Sequence, residues 1–319
     1  MLKYINTGKF VQHTFLNSFR LLSILVLLIN LISCASVSPV SSAREQPAAF
    51  MSVEDVEPVW QFFAEGIGYF YGKASRPKIE FWALQIDLFA PNIGFVVRGG
   101  AMTEDGSTLS TRVSSFVRDN DLIAGINAAP FNFVSAKEGV PLLNMGIVVS
   151  DGKLIAPPNP HYDALVFYNT DNEHDSRAAI VNQSAIDSID NIENAIGGFQ
   201  QILKDGEPVQ RILNLQPRHP RSAAGISPNG RYLYLVVIDG RRPGSIGTTE
   251  KETALLLRSL GSWDAINFDG GGSSALVLRY PDGRIRAVNT PIHSGIPGRE
   301  RAVAGCLGMK VRVLDNFSY

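Results

Sequence analysis

The chain has 319 residues, of which 45% are apolar and only 18% charged. Such a chain is not held open by its own charge and carries ample apolar surface for a large core. Lys and Arg number 29 against 30 Asp and Glu, a formal net charge of −1, so there is no electrostatic case for nucleic acid as a partner. With 29 Gly and 18 Pro, turns should be frequent and a helical bundle is disfavoured.

Lys3, Lys9 and Arg20 precede an apolar run from Leu21 to Ile32. The run is shorter than the ~20 residues a membrane-spanning helix needs, and with its basic flank it reads as an export signal. Leu31-Ile32-Ser33-Cys34 resembles the processing box of bacterial lipoproteins. That resemblance implies cleavage after Ser33, lipid on Cys34, and export to a bacterial membrane surface. Residues 34–50, rich in Ser, Pro and Ala, then form a flexible tether, and residues 51–319 form one large domain. The other cysteine, Cys306, lies in the apolar run Val303-Ala304-Gly305-Cys306-Leu307 and reads as a buried small hydrophobe.

Within the domain, Ser52 and Asp55 could cap a short helix presenting Val56, Val59, Trp60 and Phe63. Alternation predicts a strand over Lys78 to Leu88, with Trp82, Leu84, Ile86 and Leu88 opposing Phe81 and Ala83. Gly94 to Val97 reads as a strand, Ser110 to Asn120 as a helix, and Leu122 to Ile126 as a strand. Hairpins are expected around Asp151-Gly152 and Asp205-Gly206, with a strand over Ala164 to Tyr168 between them. Ser184 to Ile192 is a short helix or an irregular crossing. Ser222 to Ile226 and Tyr232 to Ile238 flank the turn at Pro228-Asn229-Gly230. Thr249-x-x-Glu252 is a capping box for a helix running to Leu260, ended by Gly261. Ala265 to Phe268, Ala275 to Tyr280 and part of Ala302 to Val313 complete the strands. The fold class is therefore α+β, with a mixed or antiparallel twisted sheet and a few packed helices.

Chemistry concentrates at Asp269-Gly270-Gly271-Gly272-Ser273-Ser274, where an apolar strand delivers an acid into a triple-glycine turn. The glycines point to positive φ or a close approach, and their N–H groups could form an anion-binding nest. Asp239 also ends an apolar strand, before Gly240 and the basic pair Arg241-Arg242, and reads equally as a turn cap. Arg218-His219-Pro220-Arg221 and Arg299-Glu300-Arg301 supply guanidinium forks suited to phosphate. If Glu300 pairs with its neighbours, its carboxyl should be held low. Asn127 ends a strand and either meets a sugar hydroxyl or caps the loop. No His or Cys spacing points to a transition metal. A hard divalent cation (Ca or Mg) on Asp269 and backbone carbonyls remains open.

Asn267-Phe268-Asp269-Gly270-Gly271-Gly272-Ser273-Ser274, Val237-Ile238-Asp239-Gly240 and the helix over 250–260 together resemble the phosphodiester glycosidase family. Asn127 to Phe131, Ile196-Gly197-Gly198 with Leu203 to Gly206, Pro220-Arg221-Ser222-Ala223 and Glu300-Arg301 extend the resemblance in order. It implies hydrolysis of the bond between a sugar C1 and a phosphodiester oxygen in envelope or extracellular glycans. It also implies Asp269 or Asp239 as the essential carboxylate, Arg221 and Arg301 on phosphate, Glu300 orienting them, and Asn127 on the sugar. His219, Gly270, Gly271, Gly272 and Ser273 then line the substrate, a phosphorylated glycan. Ala128, Ala129 and Pro130 depart from the family's Asn-Gly-Gly-Phe-Phe segment, which bears on sugar specificity. Two other readings are a non-catalytic glycan-binding envelope lipoprotein and a glycan hydrolase acting on a non-phosphorylated bond.

Overall fold

The computed structural model describes residues 52–98, 102–103, 107–169, 177–212 and 217–311. The expected signal segment, Cys34 and the tether lie outside them. Among the described residues no helix is long and apolar enough to cross a membrane.

Side-chain alternation sets the architecture. Along the strand Lys78–Asp87, Trp82, Leu84 and Ile86 point to one core and Phe81 and Ala83 to another, as a period of two requires. This strand sits inside an eight-stranded sheet. In spatial order the sheet runs Gln61–Ala64, Ile67–Ser75, Lys78–Asp87, Tyr232–Ile238, Arg221–Ile226, Asp264–Asn267, Gln200–Lys204 and Glu207–Pro208. Every neighbouring pair in it is antiparallel.

One face of that sheet packs on two five-stranded antiparallel sheets. Leu235, Val237, Ile266 and Phe268 meet Ile126, Leu276 and Leu307 from one of them, and Leu165 and Ile196 from the other. The opposite face is covered by the helix Glu250–Ser259, whose Ala254, Leu256 and Leu257 pack on Phe81, Val236 and Ile238. The helix Val113–Asp119 covers the sheet that contains Ala124–Asn127 and Cys306–Val311, through Phe116 and Val117. The protein is thus an α+β domain of antiparallel sheets, with two packed helices among the described residues.

Several local expectations hold. The Thr249 hydroxyl accepts from Glu252 N (3.1 Å) while the Glu252 carboxylate accepts from Thr249 N (2.9 Å), closing the capping box. Asp151 and Gly152 both take positive φ (48° and 72°) in the hairpin joining Val148–Ser150 to Lys153–Ala156. Cys306 is fully buried, and that burial pushes its thiol pKa up.

Others need correction. Ser52 makes no side-chain cap, and only a three-residue 3-10 turn, Val53–Asp55, follows. Phe63 instead lies in the strand Gln61–Ala64, and Val59 is 75% exposed. The helix expected from Ser110 begins at Val113, because Ser110 and Thr111 bond instead to the 137–140 segment and to Val303. The nine-residue strand Ile67–Ser75 was not predicted. Its signal was an aromatic, β-prone composition rather than alternation, since burial does not alternate cleanly along it.

Replacing Thr249 with Ala should remove one half of the capping box and cost about 1 kcal/mol. Urea denaturation of the variant should show a lower midpoint with an unchanged slope.

Candidate functional site

Three antiparallel strands carry the site at one end. Arg221 pairs with Ile238, and Ala223 pairs with Asn267. The segments beyond these pairs, Asp239-Gly240 on one side and Asp269-Gly270 on the other, therefore flank Pro220. Gly271 N donates to Pro220 O at 2.8 Å. A Cβ on Gly240 would stand 2.6 Å from Pro220 N, and one on Gly270 would stand 2.8 Å from Pro220 O. The two acidic strand ends are brought to one place, but they have different surroundings.

Asp239 is 1% exposed. Its Oδ1 accepts from Asn289 Nδ2 (3.1 Å) and Thr290 N (3.0 Å), and its Oδ2 accepts from Arg242 Nε (3.0 Å). Arg242 also reaches Glu80, which pairs with Lys73 at 3.1 Å. Burial pushes the Asp239 carboxyl up, while Arg242 and Asn289 act in the opposite direction. With both oxygens engaged and no exposed edge, Asp239 ties the strand end to the 289–290 segment. Asn289 Nδ2 also donates to Ser274 O (3.1 Å), so the tie extends to the glycine turn. This corrects the catalytic expectation for Asp239.

Asp269 is only partly buried. Its backbone N donates to Ala128 O at 2.9 Å, and its carbonyl accepts from Asn127 Nδ2 at 2.6 Å. Burial raises its carboxyl above the usual range, against donation from Ser273 and Gly270 N and the field of Arg301. The Ser273 hydroxyl accepts from Arg301 Nη1 (3.1 Å), so a relay runs from Arg301 through Ser273 to Asp269.

Two guanidinium groups face the glycine turn. A Cβ on Gly272 would stand 2.5 Å from Arg301 Nη2, and one on Gly271 would stand 3.0 Å from Arg241 Nη2. Gly271 also takes a φ of +62°. Both reasons expected for glycine therefore operate here. Each arginine is held by an imidazole: Arg301 Nε donates to His293 Nδ1 (3.2 Å), and Arg241 Nη2 donates to His219 Nδ1 (3.4 Å). Burial, then the arginines, lowers the pKa of both histidines. Neutral imidazoles orient these two cations without cancelling their charge.

Most of the expected backbone nest is already spent, and Gly272 N is the amide of the turn for which no acceptor is seen among the described residues. Gly270 N serves Asp269, Gly271 N serves Pro220 O, Ser273 N serves Gly270 O and Ser274 N serves Gly271 O. The positive charge at the turn comes from the side chains of Arg241 and Arg301.

Three further expectations change. Arg221 is 8% exposed; its Nε donates to Thr248 O (3.1 Å), and its Nη1 lies 3.5 Å from Glu250 Oε1. A carboxylate at ion-pair distance balances its charge; among the described residues neither Arg241 nor Arg301 makes so close a pair, and Arg301 meets the Asp269 carboxylate only through its field and Ser273. Glu300 does not orient an arginine: its Oε2 accepts from Ser114 N (3.0 Å), in the first turn of the helix Val113–Asp119. Asn127 is fully buried, and its Oδ1 accepts from Ser222 Oγ (2.7 Å) and Ala275 N (3.1 Å) while its Nδ2 holds Asp269 O. Expected on the sugar, it is seen here supporting the turn from beneath. Ala128 and Ala129 are buried with it, so the departure at these positions is absorbed by the core.

Arg241 and His293 complete the cluster; the sequence marked Arg241 only as one of a basic pair, without a site role, and did not mark His293. Arg241 carried a usable signal, as a basic residue directly after a strand-ending Asp-Gly; its φ of +59° confirms an unusual turn. His293 carried none.

Among the described residues no group of three or more His, Cys, Asp or Glu side chains gathers to hold a metal ion. A single carboxylate in the field of a guanidinium is also a poor donor set for Ca or Mg, so the residues do not fit the cation considered for Asp269.

Removing the Asp239 carboxylate in Asp239→Ala leaves Arg242 with Glu80 alone and should cost about 3 kcal/mol, read by urea denaturation. Asp269→Asn should act in the opposite direction. A carboxyl whose folded pKa is raised adds stability below the ordinary aspartate range, and that stability is lost as pH rises through the folded value. At neutral pH the wild type carries the full penalty, so the Asn variant should melt higher. The difference should shrink on acidification into the ordinary aspartate range.

No curated protein matches the chain. A hypothetical protein from Synechocystis superposes with a TM-score of 0.55 at 17% identity, covering 81% of this chain and 65% of that one. The chain therefore spans slightly less than two thirds of that protein. The zebrafish N-acetylglucosamine-1-phosphodiester alpha-N-acetylglucosaminidase catalytic domain, auto-inhibited by its pro-peptide, superposes with a TM-score of 0.59 at 17% identity, covering 82% of this chain and 86% of that one. These likenesses show a shared fold. The sequence model for phosphodiester glycosidase matches residues 120–310, more than half the chain and all of the cluster around the glycine turn. The chain belongs to the phosphodiester glycosidase family.

Proposed function

We propose that the protein hydrolyses the C1–O bond of a sugar-1-phosphodiester in an envelope or extracellular glycan. The observation that carries this reading is the pair of guanidinium groups, Arg241 and Arg301, that lie against the Asp269 turn, are held by imidazoles and make no close ion pair among the described residues. They suit a leaving group that departs with negative charge. A phosphate monoester is a far better leaving group than a sugar alkoxide, so a strong general acid is dispensable. What the reaction needs is a base for water and stabilisation of a cationic C1.

Asp269 is assigned the base. Its burial-raised pKa makes it a stronger proton acceptor than an ordinary aspartate, while Ser273 and Arg301 favour the ionised form that accepts a proton. Water adds to C1 as Asp269 takes its proton. The C1–O bond breaks with its electron pair going to the phosphate oxygen, and Arg241 and Arg301 hold the resulting charge. The free sugar and a phosphate monoester leave, and Asp269 returns its proton to solvent. Ser273 positions both partners by accepting from Arg301 and donating to Asp269. His219 and His293 position the arginines.

Turnover of a sugar-1-phosphodiester and of an aryl glycoside of the same sugar tests this reading. The wild type should prefer the phosphodiester. Asp269→Asn should lower kcat by about 10²- to 10⁴-fold with the fold intact. Arg301→Lys keeps the charge but loses the fork, and should raise KM for the phosphodiester while leaving the aryl glycoside unaffected. Equal rates on both substrates, or near-normal turnover in Asp269→Asn, would reject the assignment.

A further inference from the structure

Arg221 opens onto a cavity of about 250 Å³, room for about eight waters at ~30 Å³ each. That is the bulk of one sugar ring rather than a chain of sugars. Its walls come from three places. Tyr162 and Phe199, both partly exposed, meet edge to face with ring centroids 5.7 Å apart and planes at 87°. Glu250, at the start of the helix Glu250–Ser259, faces Arg221 at 3.5 Å and accepts from Gln200 Nε2 at 2.9 Å. Asn267 lines the cavity from the strand that delivers Asp269.

Asn267 is 1% exposed, and its side-chain oxygen has no hydrogen-bond partner. A buried acceptor left empty is costly, and a donor brought by a ligand would satisfy it. The terminal amide turns about a soft, two-fold torsion, so it can present that oxygen to the cavity. The cavity adjoins the reacting centre: Asn267 is two residues from Asp269, and a Cβ on Gly270 would stand 3.8 Å from Arg221 Cδ.

We infer that this cavity is the sugar-ring subsite of the site proposed above, and that its Arg221–Glu250 pair selects a neutral ring over an anionic one. The inference rests on that reading for its neighbour, the phosphate. Electrostatics divides the two halves. On the glycine-turn side, the arginines are held by neutral imidazoles and keep their charge for an anion. In the cavity, one guanidinium faces one carboxylate and the two offset each other, with the exposed His161 as the other titratable group of the lining. Sugar hydroxyls can donate to Glu250 and Asn267 and accept from Arg221 and Gln200. The C–H face of the ring has Tyr162 and Phe199 to lie against. A ring carboxylate would meet Glu250 while Arg221 is already paired to it.

Calorimetric titration of the full chain tests this, with methyl glycosides of glucose, galactose and mannose, methyl glucuronide and inorganic phosphate as probes. At least one neutral hexoside should bind with a millimolar Kd, and the glucuronide should bind about tenfold more weakly. Tyr162→Ala should weaken hexoside binding about tenfold and leave phosphate binding unchanged. Glu250→Gln frees Arg221 and should raise glucuronide affinity above that of the wild type. Circular dichroism confirms that each variant is folded. The inference is overturned if no neutral hexoside binds, if glucuronide binds as well as hexosides, or if folded Tyr162→Ala binds every probe like the wild type. The two proposals fail separately. Hexoside binding in a protein that turns over no sugar-1-phosphodiester removes the reaction and keeps the subsite. Turnover whose KM is untouched by Tyr162→Ala removes the subsite and keeps the reaction.

Discussion

The charge on an arginine matters to a ligand only if the protein has not already spent it, and what accepts from the guanidinium decides this. Four arginines gather where the central strands end, and the protein treats them in two ways. Arg242 and Arg221 face carboxylates, Asp239 with Glu80 and then Glu250. Arg241 and Arg301 face imidazoles. An imidazole beside a guanidinium is pushed toward its neutral form, which accepts one hydrogen bond and contributes no counter-charge. The first two cations hold the framework. The other two are held in place yet remain electrostatically available. The phosphodiester reading depends on that division.

The carboxylates divide in the same way. Asp239 has every lone-pair direction met by Arg242, Asn289 or Thr290, and its worth is mechanical. Asp269 is tethered mainly through its backbone, by Asn127 and Ala128, and its side chain is left with one hydroxyl and a nearby cation. Fixing an acid by its main chain spares its carboxylate for chemistry. Asn127 illustrates the principle: its buried amide holds three partners and locks the turn without touching the cleft.

Much of the fold was legible because its signals are local. Alternation placed Trp82, Leu84 and Ile86 against Phe81 and Ala83, and Thr249 with Glu252 located the long helix. Asp151-Gly152 gave a hairpin. The candidate site was legible as a set of segments but not as a set of roles. Asp239 and Asp269 both follow apolar strands and precede glycine, and nothing near either says which side chain is spoken for. Asp239 depends on Asn289 and Thr290, 50 and 51 residues away, and Arg242 on Glu80, 162 residues away. Glu300 sits between two arginines in sequence and bonds to Ser114 instead, 186 residues distant. Adjacent residues on an extended segment point to opposite sides. Neighbours in sequence are therefore poor candidates for ion-pair partners there.

The glycine turn shows how the two kinds of constraint meet. Four of its amides, those of Gly270, Gly271, Ser273 and Ser274, are engaged within the turn or by Pro220, so its main chain offers an anion little beyond Gly272 N. What it offers is absence. Without Cβ atoms at Gly271 and Gly272, Arg241 and Arg301 can lie against the backbone. A methyl group at Gly272 would displace the Arg301 guanidinium, and one at Gly271 would crowd Arg241 and strain a backbone at positive φ. Gly271 and Gly272 therefore set a distance between cation and acid. That distance has to suit a bond whose one side develops positive charge at carbon and whose other side departs as phosphate.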